Sequence, residues 1–205
     1  MELQKISLAE TNAFTSFFLD YIQPNPQLAK FYNRFPKVEN FGEQIKDKSN
    51  SFSQHNREVL VNTLQEQYKN YSVSEPVKTN IELLSNKKTF TVTTGHQLNI
   101  FTGPLYFIYK IVTVINTCKK LKEAYPDYNF VPVYWMASED HDFEEIKYFK
   151  LQGKKYVWET NQKGAVGRFN PKELETLLKE IPGDISIFRE AYLKHSSVSD
   201  AVRYY

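Results

Sequence analysis

The sequence predicts an α/β fold, with an open, mostly parallel sheet, flanking helices and an added hairpin. Two observations support this prediction. The stretch TFTVTT, which begins at Thr89, is β-branched and aromatic, and a long amphipathic helix follows it. The next segment, FVPVYWMA, is a continuous apolar run of strand length, typical of an inner strand buried on both faces. A strand, a right-handed helical crossover and a second strand form the βαβ unit of a parallel sheet.

The composition is that of an ordinary globular chain. Of its 205 residues 41% are hydrophobic and 24% are charged, and the formal net charge of +2 is too small to indicate a nucleic-acid partner. The most apolar segment, LYFIYKIVTVI, is interrupted by Lys110 and is too short to span a bilayer, so no membrane association is expected. A single cysteine, Cys118, and the absence of a secretory signal pattern predict a cytoplasmic location.

The first part of the chain predicts helices. Ser7 and Glu10 form a capping box in front of AFTSFFLDYI, which we expect to be the first helix. Residues 38–71 are polar and loosely helical in their spacing, which predicts one or two exposed helices. SVSEPVKT is the best candidate linker, because Pro76 disfavours helical backbone at the residue before it.

A change of pattern then divides the chain. Thr79 and Glu82 predict the capped start of a short helix, NIELL, and strand-like sequence follows. We therefore predict an N-terminal helical segment, 1–78, packed on a core, 79–205, that carries an inserted segment from about residue 150.

The crossover helix is predicted from residue 104 to about 124. Its apolar positions recur at helical spacing and predict one buried face, on which the single cysteine has a packing role: Phe107, Ile111, Val114, Ile115, Cys118 and Leu121.

Past the second strand, IKYFKLQGKKYVWET predicts a hairpin about a Gln-Gly-Lys turn. In NPKELETLLKEI, Asn170 is the predicted cap, Pro171 fits the first helical position, and Glu173 completes a capping box. A further helix is predicted over 185–194. SSVSDAVRYY begins another helix without a helix-end pattern, so we expect the chain to be the front part of a longer protein.

An uncharged, turn-rich segment follows the first strand. We call residues 94–104 the neutral loop. Gly95 permits tight backbone, and the Gly103-Pro104 pair opens the crossover helix, where amide groups and the helix dipole stabilise a phosphate or carboxylate. Polar side chains of the loop could bond the same anion or fix the loop. The predicted binding residues are Thr94, Gly95, His96, Gln97, Asn99, Thr102 and Gly103.

An acidic segment follows the second strand. We call residues 137–146 the acidic loop, and we predict Asp140, His141 and Asp142 as catalytic groups, with Glu139 and Trp135 in the binding site. Neighbouring carboxylates shift each other's pKa values, so one could act as a base while another binds a cation or an ammonium group. The alternative is the acidic first turn of a helix capped by Ser138, and Glu144 and Glu145 are most simply explained that way.

The same residues also suggest a metal site, with Asp140, His141 and Asp142 as ligands and His96 opposite. Successive side chains of an extended segment point in opposite directions, so these three cannot face one ion without a turn. We therefore predict no metal. The two loops leave the carboxyl ends of parallel strands, where the ligand crevice of an open α/β sheet lies, so we expect them to face each other.

The two motifs TTGHQLNIFTGPLYFIYKIVTVI and VPVYWMASEDHDFEEI, in this order and at this separation, resemble the BshC family, the cysteine-adding enzymes of bacillithiol biosynthesis. The resemblance implies a Rossmann-like core and a ligase that joins the carboxyl group of cysteine to the amine of glucosaminyl-malate through an amide bond. It also implies an adenine nucleotide, ATP or ADP, and a homodimer formed by a C-terminal coiled coil that this chain does not reach. Many family members carry Gln at the position of His96, which argues against an essential imidazole there.

Two other functions fit the same residues. A metal-dependent phosphohydrolase or nucleotidylyl transferase would use the acidic cluster on a divalent ion. A non-catalytic nucleotide-binding fragment would use only the neutral loop.

Overall fold

The computed structural model of the chain describes residues 4–205. Short 3-10 turns lie at Leu8–Thr11, Pro26–Phe31, Val38–Asn40, Val166–Arg168 and Pro171–Leu174. The helices are α1 (Ser16–Ile22), α2 (Phe41–Ser51), α3 (Gln54–Tyr68), α4 (Glu75–Leu83), α5 (Leu105–Ala124), α6 (Phe143–Ile146), α7 (Glu175–Glu180), α8 (Ser186–Lys194) and α9 (Val198–Tyr204). The strands are β1 (Thr89–Gln97), β2 (Asn129–Ala137), β3 (Tyr148–Leu151) and β4 (Lys154–Val157).

The predicted βαβ unit is present as β1, α5 and β2. The two strands pair in one sheet and run parallel. Their starts lie side by side, and so do their ends. The N–H of Asn129 donates to the carbonyl of Lys88 where the strands begin, and Gly95 lies against Trp135 where they end. The carboxyl ends of β1 and β2 therefore share one rim.

The second strand is more exposed than the sequence predicts. Val131 is buried, but Trp135 is 60% exposed, so the expectation that β2 is buried on both faces is wrong. Within residues 4–205 the sheet has only the two strands β1 and β2, which leaves each of them an edge. An apolar run alone does not distinguish an inner strand from such an edge.

The predicted hairpin is confirmed. β3 and β4 pair antiparallel, with Tyr148 opposite Val157. Gln152 and Gly153 form the two-residue turn, and both have positive φ, 50° and 80°. This is the turn that matches the twist of the flanking strands.

By their contacts, the residues group into two compact units. One takes in the chain up to Phe90 together with Lys120–Asn129, and the other takes in Thr91–Lys119 together with Phe130–Tyr205. The predicted division at residue 78 stays a prediction. The second unit has a continuous hydrophobic core formed by residues of the neutral loop, β4 and the C-terminal helices: Leu98, Ile100, Tyr156, Trp158, Phe169, Leu174, Leu178, Ile181, Ala191, Tyr192, Val198 and Ala201.

Two helix starts in the first unit differ from the prediction. The hydroxyl of Thr15, not of Ser7, caps α1 by accepting from the N–H of Phe18 at 3.3 Å. The predicted linker is instead the start of α4, with Pro76 in its first turn and Thr79 inside the helix. Proline fits a first turn because its missing N–H has no partner there in any helix. Residues 38–71 contain two helices, α2 and α3, as predicted.

The crossover helix matches its predicted length. Val114, Cys118 and Leu121 are buried, and burial raises the pKa of the Cys118 thiol to about 11, which fits the predicted packing role. Ile115, predicted on the buried face, is 39% exposed. No helix within residues 4–205 has the length and apolar character that crossing a membrane requires.

Asn170 caps the segment after the hairpin, but its own N–H bonds a different residue from the one predicted. Asn170 accepts from the N–H of Lys172 at 3.1 Å, as predicted. Its own N–H donates to Gln162 at 2.6 Å, so Gln162 takes the place that was predicted for Glu173. The helices predicted over residues 185–194 and after residue 196 are confirmed as α8 and α9.

A buried arginine organises the first unit. The guanidinium of Arg57 on α3 donates to the carbonyls of Leu84 at 3.1 Å, Thr89 at 3.0 Å and Lys87 at 3.4 Å, which lie between the end of α4 and the start of β1. Arg57 is 5% exposed, and burial lowers its pKa from the usual value. One side chain thus satisfies three carbonyls of a connection that would otherwise hold unpaired acceptors.

We expect Arg57→Met to lower the free energy of unfolding by about 2–4 kcal/mol, because it strips these carbonyls of their donor. Chemical denaturation followed by circular dichroism measures the loss. The matched control is Arg34→Met, since Arg34 bonds the exposed carboxylate of Asp47 at 2.6 Å and we expect a loss of at most about 1 kcal/mol. Equal losses in the two variants would contradict the role given to Arg57.

Candidate functional site

The neutral loop starts later than its sequence predicts. β1 continues through Gly95, His96 and Gln97, so these three predicted loop residues end the strand. A Cβ on Gly95 would lie 3.1 Å from both the Cβ and the carbonyl oxygen of Trp135. Glycine therefore allows β1 and β2 to approach closely at the rim.

The middle of the loop has left-handed backbone. Phe101 has a φ of 59° and Gly103 a φ of 63°. A Cβ on Gly103 would meet Asn99 at 2.8 Å, so the predicted glycine is required both by its φ and by this contact. The side-chain amide of Asn99 donates to the carbonyl of Gln97 at 3.1 Å, so Asn99 fixes the loop internally.

Two tyrosines hold the left-handed residue. The N–H of Phe101 donates to the hydroxyl of Tyr192, and the hydroxyl of Tyr205 donates to the carbonyl of Phe101 at 2.7 Å. The two hydroxyls are 2.9 Å apart. Because an N–H only donates and a carbonyl only accepts, Tyr192 must donate to Tyr205. The four groups form a closed ring of hydrogen bonds, which we call the tyrosine ring.

The tyrosine ring requires both phenols to be protonated. Burial raises the pKa of Tyr192 to about 12, and burial, followed by the neighbouring Tyr192, raises the pKa of Tyr205 well above its ordinary value. Both hydroxyls therefore keep their protons throughout the neutral range. Phe188 packs edge-on against Tyr205, with ring centroids 5.0 Å apart, in the same aromatic cluster.

The predicted histidine bonds its neighbour. Nδ1 of His96 lies 2.9 Å from Oε1 of Gln97, and the ring packs against Tyr106 and Phe107 with centroids 5.2 Å and 6.0 Å away. Nε2 of His96 is buried and has no hydrogen-bond partner within residues 4–205. The hydroxyl of Tyr134 donates to the carbonyl of His96 at 3.3 Å. The imidazole thus supports Gln97, and its contact with a substrate stays a prediction.

The acidic loop turns at Asp140. Its Oδ1 accepts from the N–H of Asp142 at 2.9 Å, so one carboxylate oxygen closes a turn. His141, Asp142 and Glu139 are exposed, whereas Asp140 is half-buried. The turn presents the exposed side chains of the loop to solvent. Glu144, as predicted, lies in the first turn of α6, where it pairs with Lys147 at 2.7 Å.

A later segment fastens the acidic loop from behind. The N–H groups of Gly167 and Val166 donate to the carbonyls of Ser138 at 3.1 Å and Asp140 at 2.8 Å. A Cβ on Gly167 would lie 2.5 Å from the Ser138 oxygen and would collide with the side chain of Ser199. Only glycine fits this approach without a shift of the loop.

One hydrogen bond joins the two loops. Nε2 of Gln97 donates to Oε2 of Glu145 at 2.8 Å. A carboxylate only accepts, so this contact fixes the orientation of the Gln97 amide and makes Nδ1 of His96 the donor to Oε1. His96, Gln97 and Glu145 therefore form one polar chain across the rim. The expectation that the two loops meet there agrees with this contact.

The structure does not bring all of the predicted binding and catalytic residues together. Within residues 4–205, no group of three or more His, Cys, Asp and Glu side chains is arranged to hold a metal ion. Thr102 is exposed and Thr94 half-buried on β1, and their predicted binding roles stay predictions, as do those of Trp135 and Glu139.

The sequence did not identify the residues that hold the loops. The pattern around Glu145 predicts only a helix start, and no pattern points to Tyr192 or Tyr205. Tyr192 and Tyr205 are separated from Phe101 by 91 and 104 positions, so no local pattern reveals the contact. The one available indication was a glycine, Gly167, outside any turn-forming dipeptide.

Comparison with known proteins identifies the family. The family model described as "Bacillithiol biosynthesis BshC, N-terminal Rossmann-like domain" matches residues 1–205. The chain belongs to the BshC family. The Rossmann-like fold implied by the resemblance is thereby confirmed.

Three curated relatives named "Putative cysteine ligase BshC" are similar along almost all of the chain. The chain is 48% identical to the protein of Flavobacterium psychrophilum, covering 97% of the chain and 40% of the relative. It is 47% identical to that of Flavobacterium johnsoniae, with the same coverage, and 41% identical to that of Cytophaga hutchinsonii, covering 98% and 38%. The chain thus spans about two fifths of the length of these BshC relatives.

We expect Gly167→Ala to lower the free energy of unfolding by about 1–3 kcal/mol, because the added methyl overlaps the backbone of the acidic loop. Thermal unfolding followed by circular dichroism measures the effect. Gly42→Ala is the control, since the nearest atom to its added methyl is a Tyr125 ring carbon at 3.4 Å and alanine is the better helix former. A Gly167→Ala protein as stable as this control would show that the acidic loop is not fastened here.

Proposed function

We propose that the chain is the Rossmann-like part of a cysteine ligase of bacillithiol biosynthesis. The ligase forms an amide between the carboxyl group of cysteine and the amine of glucosaminyl-malate. Membership of the BshC family and the names of its curated relatives support the proposal. The observation that carries it is the Gln97–Glu145 hydrogen bond, because it places an amide-rich loop and an acidic loop at one rim. In the condensation of an acid with an amine, the first loop would supply donors to an anionic group and the second an acceptor for the amine proton.

The neutral loop suits the anionic end of a substrate. α5 begins at Leu105, after the left-handed Gly103, and the N–H of Phe107 donates to the carbonyl of Pro104 at 2.9 Å. The N–H groups that come before it in a helix's first turn have no partner within the helix. These donors and the helix dipole stabilise a carboxylate or a phosphate. In the proposal they hold the malate carboxylates or a nucleotide phosphate, with Gln97 and Asn99 keeping the loop in shape.

The acidic loop suits the amine. An amine attacks a carboxyl carbon only as the neutral base, so a group nearby must accept its proton. Asp140, His141 and Asp142 are the proposed acceptors, and the exposed imidazole of His141 is the best placed because one oxygen of Asp140 already closes the turn. The carboxylates would also attract the substrate ammonium before its proton is lost.

A nucleotide completes the proposal. A carboxylate is a poor acyl donor, and ATP would supply the free energy that activates it. The first N–H groups of α5, which follow the left-handed Gly103, are the donors that would meet a phosphate, so the residues present fit such a group. The neutral loop is the part of this chain that would hold it. A cytoplasmic homodimer of the complete protein remains part of the proposal.

Product formation tests the function directly. The complete protein in which this chain occurs is incubated with cysteine, glucosaminyl-malate and ATP, and bacillithiol is measured by mass spectrometry. We expect the product to depend on all three additions, with ADP and no nucleotide as parallel samples. Unchanged substrates with a correctly folded protein would refute the ligase. Hydrolysis of phosphate esters or nucleotidyl transfer without bacillithiol formation, lost on chelation and restored only by divalent ions, would favour the phosphohydrolase or nucleotidylyl transferase.

We expect Asp140→Asn to reduce kcat at least tenfold in the complete protein, because it removes the charge beside the proton acceptor. The amide oxygen of the new side chain still accepts from Asp142, so the turn is kept. Asp184→Asn is the matched control, since Oδ1 of Asp184 closes the same kind of turn by accepting from the N–H of Ser186 at 2.9 Å, outside both loops. Wild-type turnover by Asp140→Asn would remove Asp140 from the mechanism.

A further inference from the structure

We propose that Tyr192 and Tyr205 are positioning residues for substrate binding: by holding Phe101 in its left-handed conformation, they aim the neutral loop and the start of α5 at the anionic substrate. This inference rests on the proposed ligase function. It adds two residues that are distant in sequence from both loops.

The starting point is a conformation that needs support. A bulky non-glycine residue with a φ of 59° is strained, at a cost on the order of 1–2 kcal/mol. The tyrosine ring engages both backbone groups of that one residue, its N–H and its carbonyl. Tyr192 is wholly buried, and its ring lies 5.5 Å from that of Phe101, centroid to centroid. The hydroxyls are therefore fixed by the core and not by solvent.

A continuous set of contacts connects Phe101 to the binding groups. On one side, the hydroxyl of Tyr205 is also 3.4 Å from the carbonyl of Asn99, whose side chain bonds the carbonyl of Gln97. On the other side, Gly103 packs on Asn99 directly before α5 begins. A change of φ at Phe101 would therefore shift both Gln97 and the first amides of α5. Donors that are misplaced by about 1 Å bind and orient a substrate poorly.

The hydrogen bonds of the tyrosine ring all run in one direction, so the role of each hydroxyl can be tested separately. Tyr192→Phe leaves the Phe101 N–H without an acceptor, and Tyr205→Phe leaves the Phe101 carbonyl without a donor. Both substitutions keep the aromatic packing. Tyr156→Phe is the matched control, because Tyr156 lies in the same core and stacks on Phe149 with ring centroids 5.1 Å apart, and its hydroxyl is not one of the groups of the tyrosine ring.

The experiment uses the complete protein and two measurements on each variant. Hydrogen exchange, followed by mass spectrometry of peptides covering residues 98–104, reports whether the neutral loop is held. Steady-state kinetics with glucosaminyl-malate as the varied substrate separate KM from kcat. We expect both tyrosine variants to exchange about fivefold to tenfold faster in this segment and to raise KM by a similar factor. We expect kcat to change less than twofold, and Tyr156→Phe to match the wild type in both measurements.

The outcomes separate this inference from the ligase proposal. Faster exchange with an unchanged KM would overturn the positioning role, since the loop would be loosened without effect on binding. Unchanged exchange in both variants would show that the tyrosine ring does not hold the loop. Absence of product from the wild-type protein would refute the ligase and the substrate role of the pair together. If Tyr192→Phe does not fold, Tyr205→Phe decides between these outcomes, because residue 205 as a whole is less buried than Tyr192.

Discussion

The closed ring of hydrogen bonds at Phe101 is the interaction on which the candidate site depends. A left-handed phenylalanine costs on the order of 1–2 kcal/mol, and each hydrogen bond contributes roughly 0.5–1.5 kcal/mol. Two bonds to Phe101, from Tyr192 and Tyr205, are therefore enough to offset the strain. Without these two hydrogen bonds, Phe101 would favour an ordinary negative φ, and the backbone between β1 and α5 would take a different conformation. The position of the helix start follows from this balance.

The two loops are held by the same later part of the chain. Val166 and Gly167 fasten the acidic loop, and Tyr192 with Tyr205 fastens the neutral one. All four residues follow the hairpin in sequence. The segment 166–205 thus acts as a frame, while residues 94–146 supply the groups that would meet a substrate. The recognisable motifs lie in residues 94–146. Groups that react with or bind a substrate must be of particular residue types, whereas many residue types can hold a loop in place.

The local parts of the fold were predictable because their causes are local. β-branched residues predict β1, helical spacing predicts α5, and Asn170 caps the segment that it was predicted to cap. The errors have a common physical origin. Pro76 predicts a break but also suits a first helical turn, and the apolar run of β2 predicts an inner strand although β2 has an open edge. Each pattern is compatible with two environments, and only long-range packing chooses between them.

The candidate site shows the same division between local and distant causes. That two polar loops share one rim follows from the parallel strands, and the Gln97–Glu145 bond agrees with it. The parallel strands do not determine which side chains of the two loops remain exposed. His96, the most conspicuous residue of its motif, turns into the rings of Tyr106 and Phe107, while His141 stays in solvent. A histidine inside an aromatic cluster orients its neighbours, and here Nδ1 of His96 holds the side chain of Gln97. This explains in physical terms why the imidazole at position 96 is the less suitable of the two histidines for proton transfer.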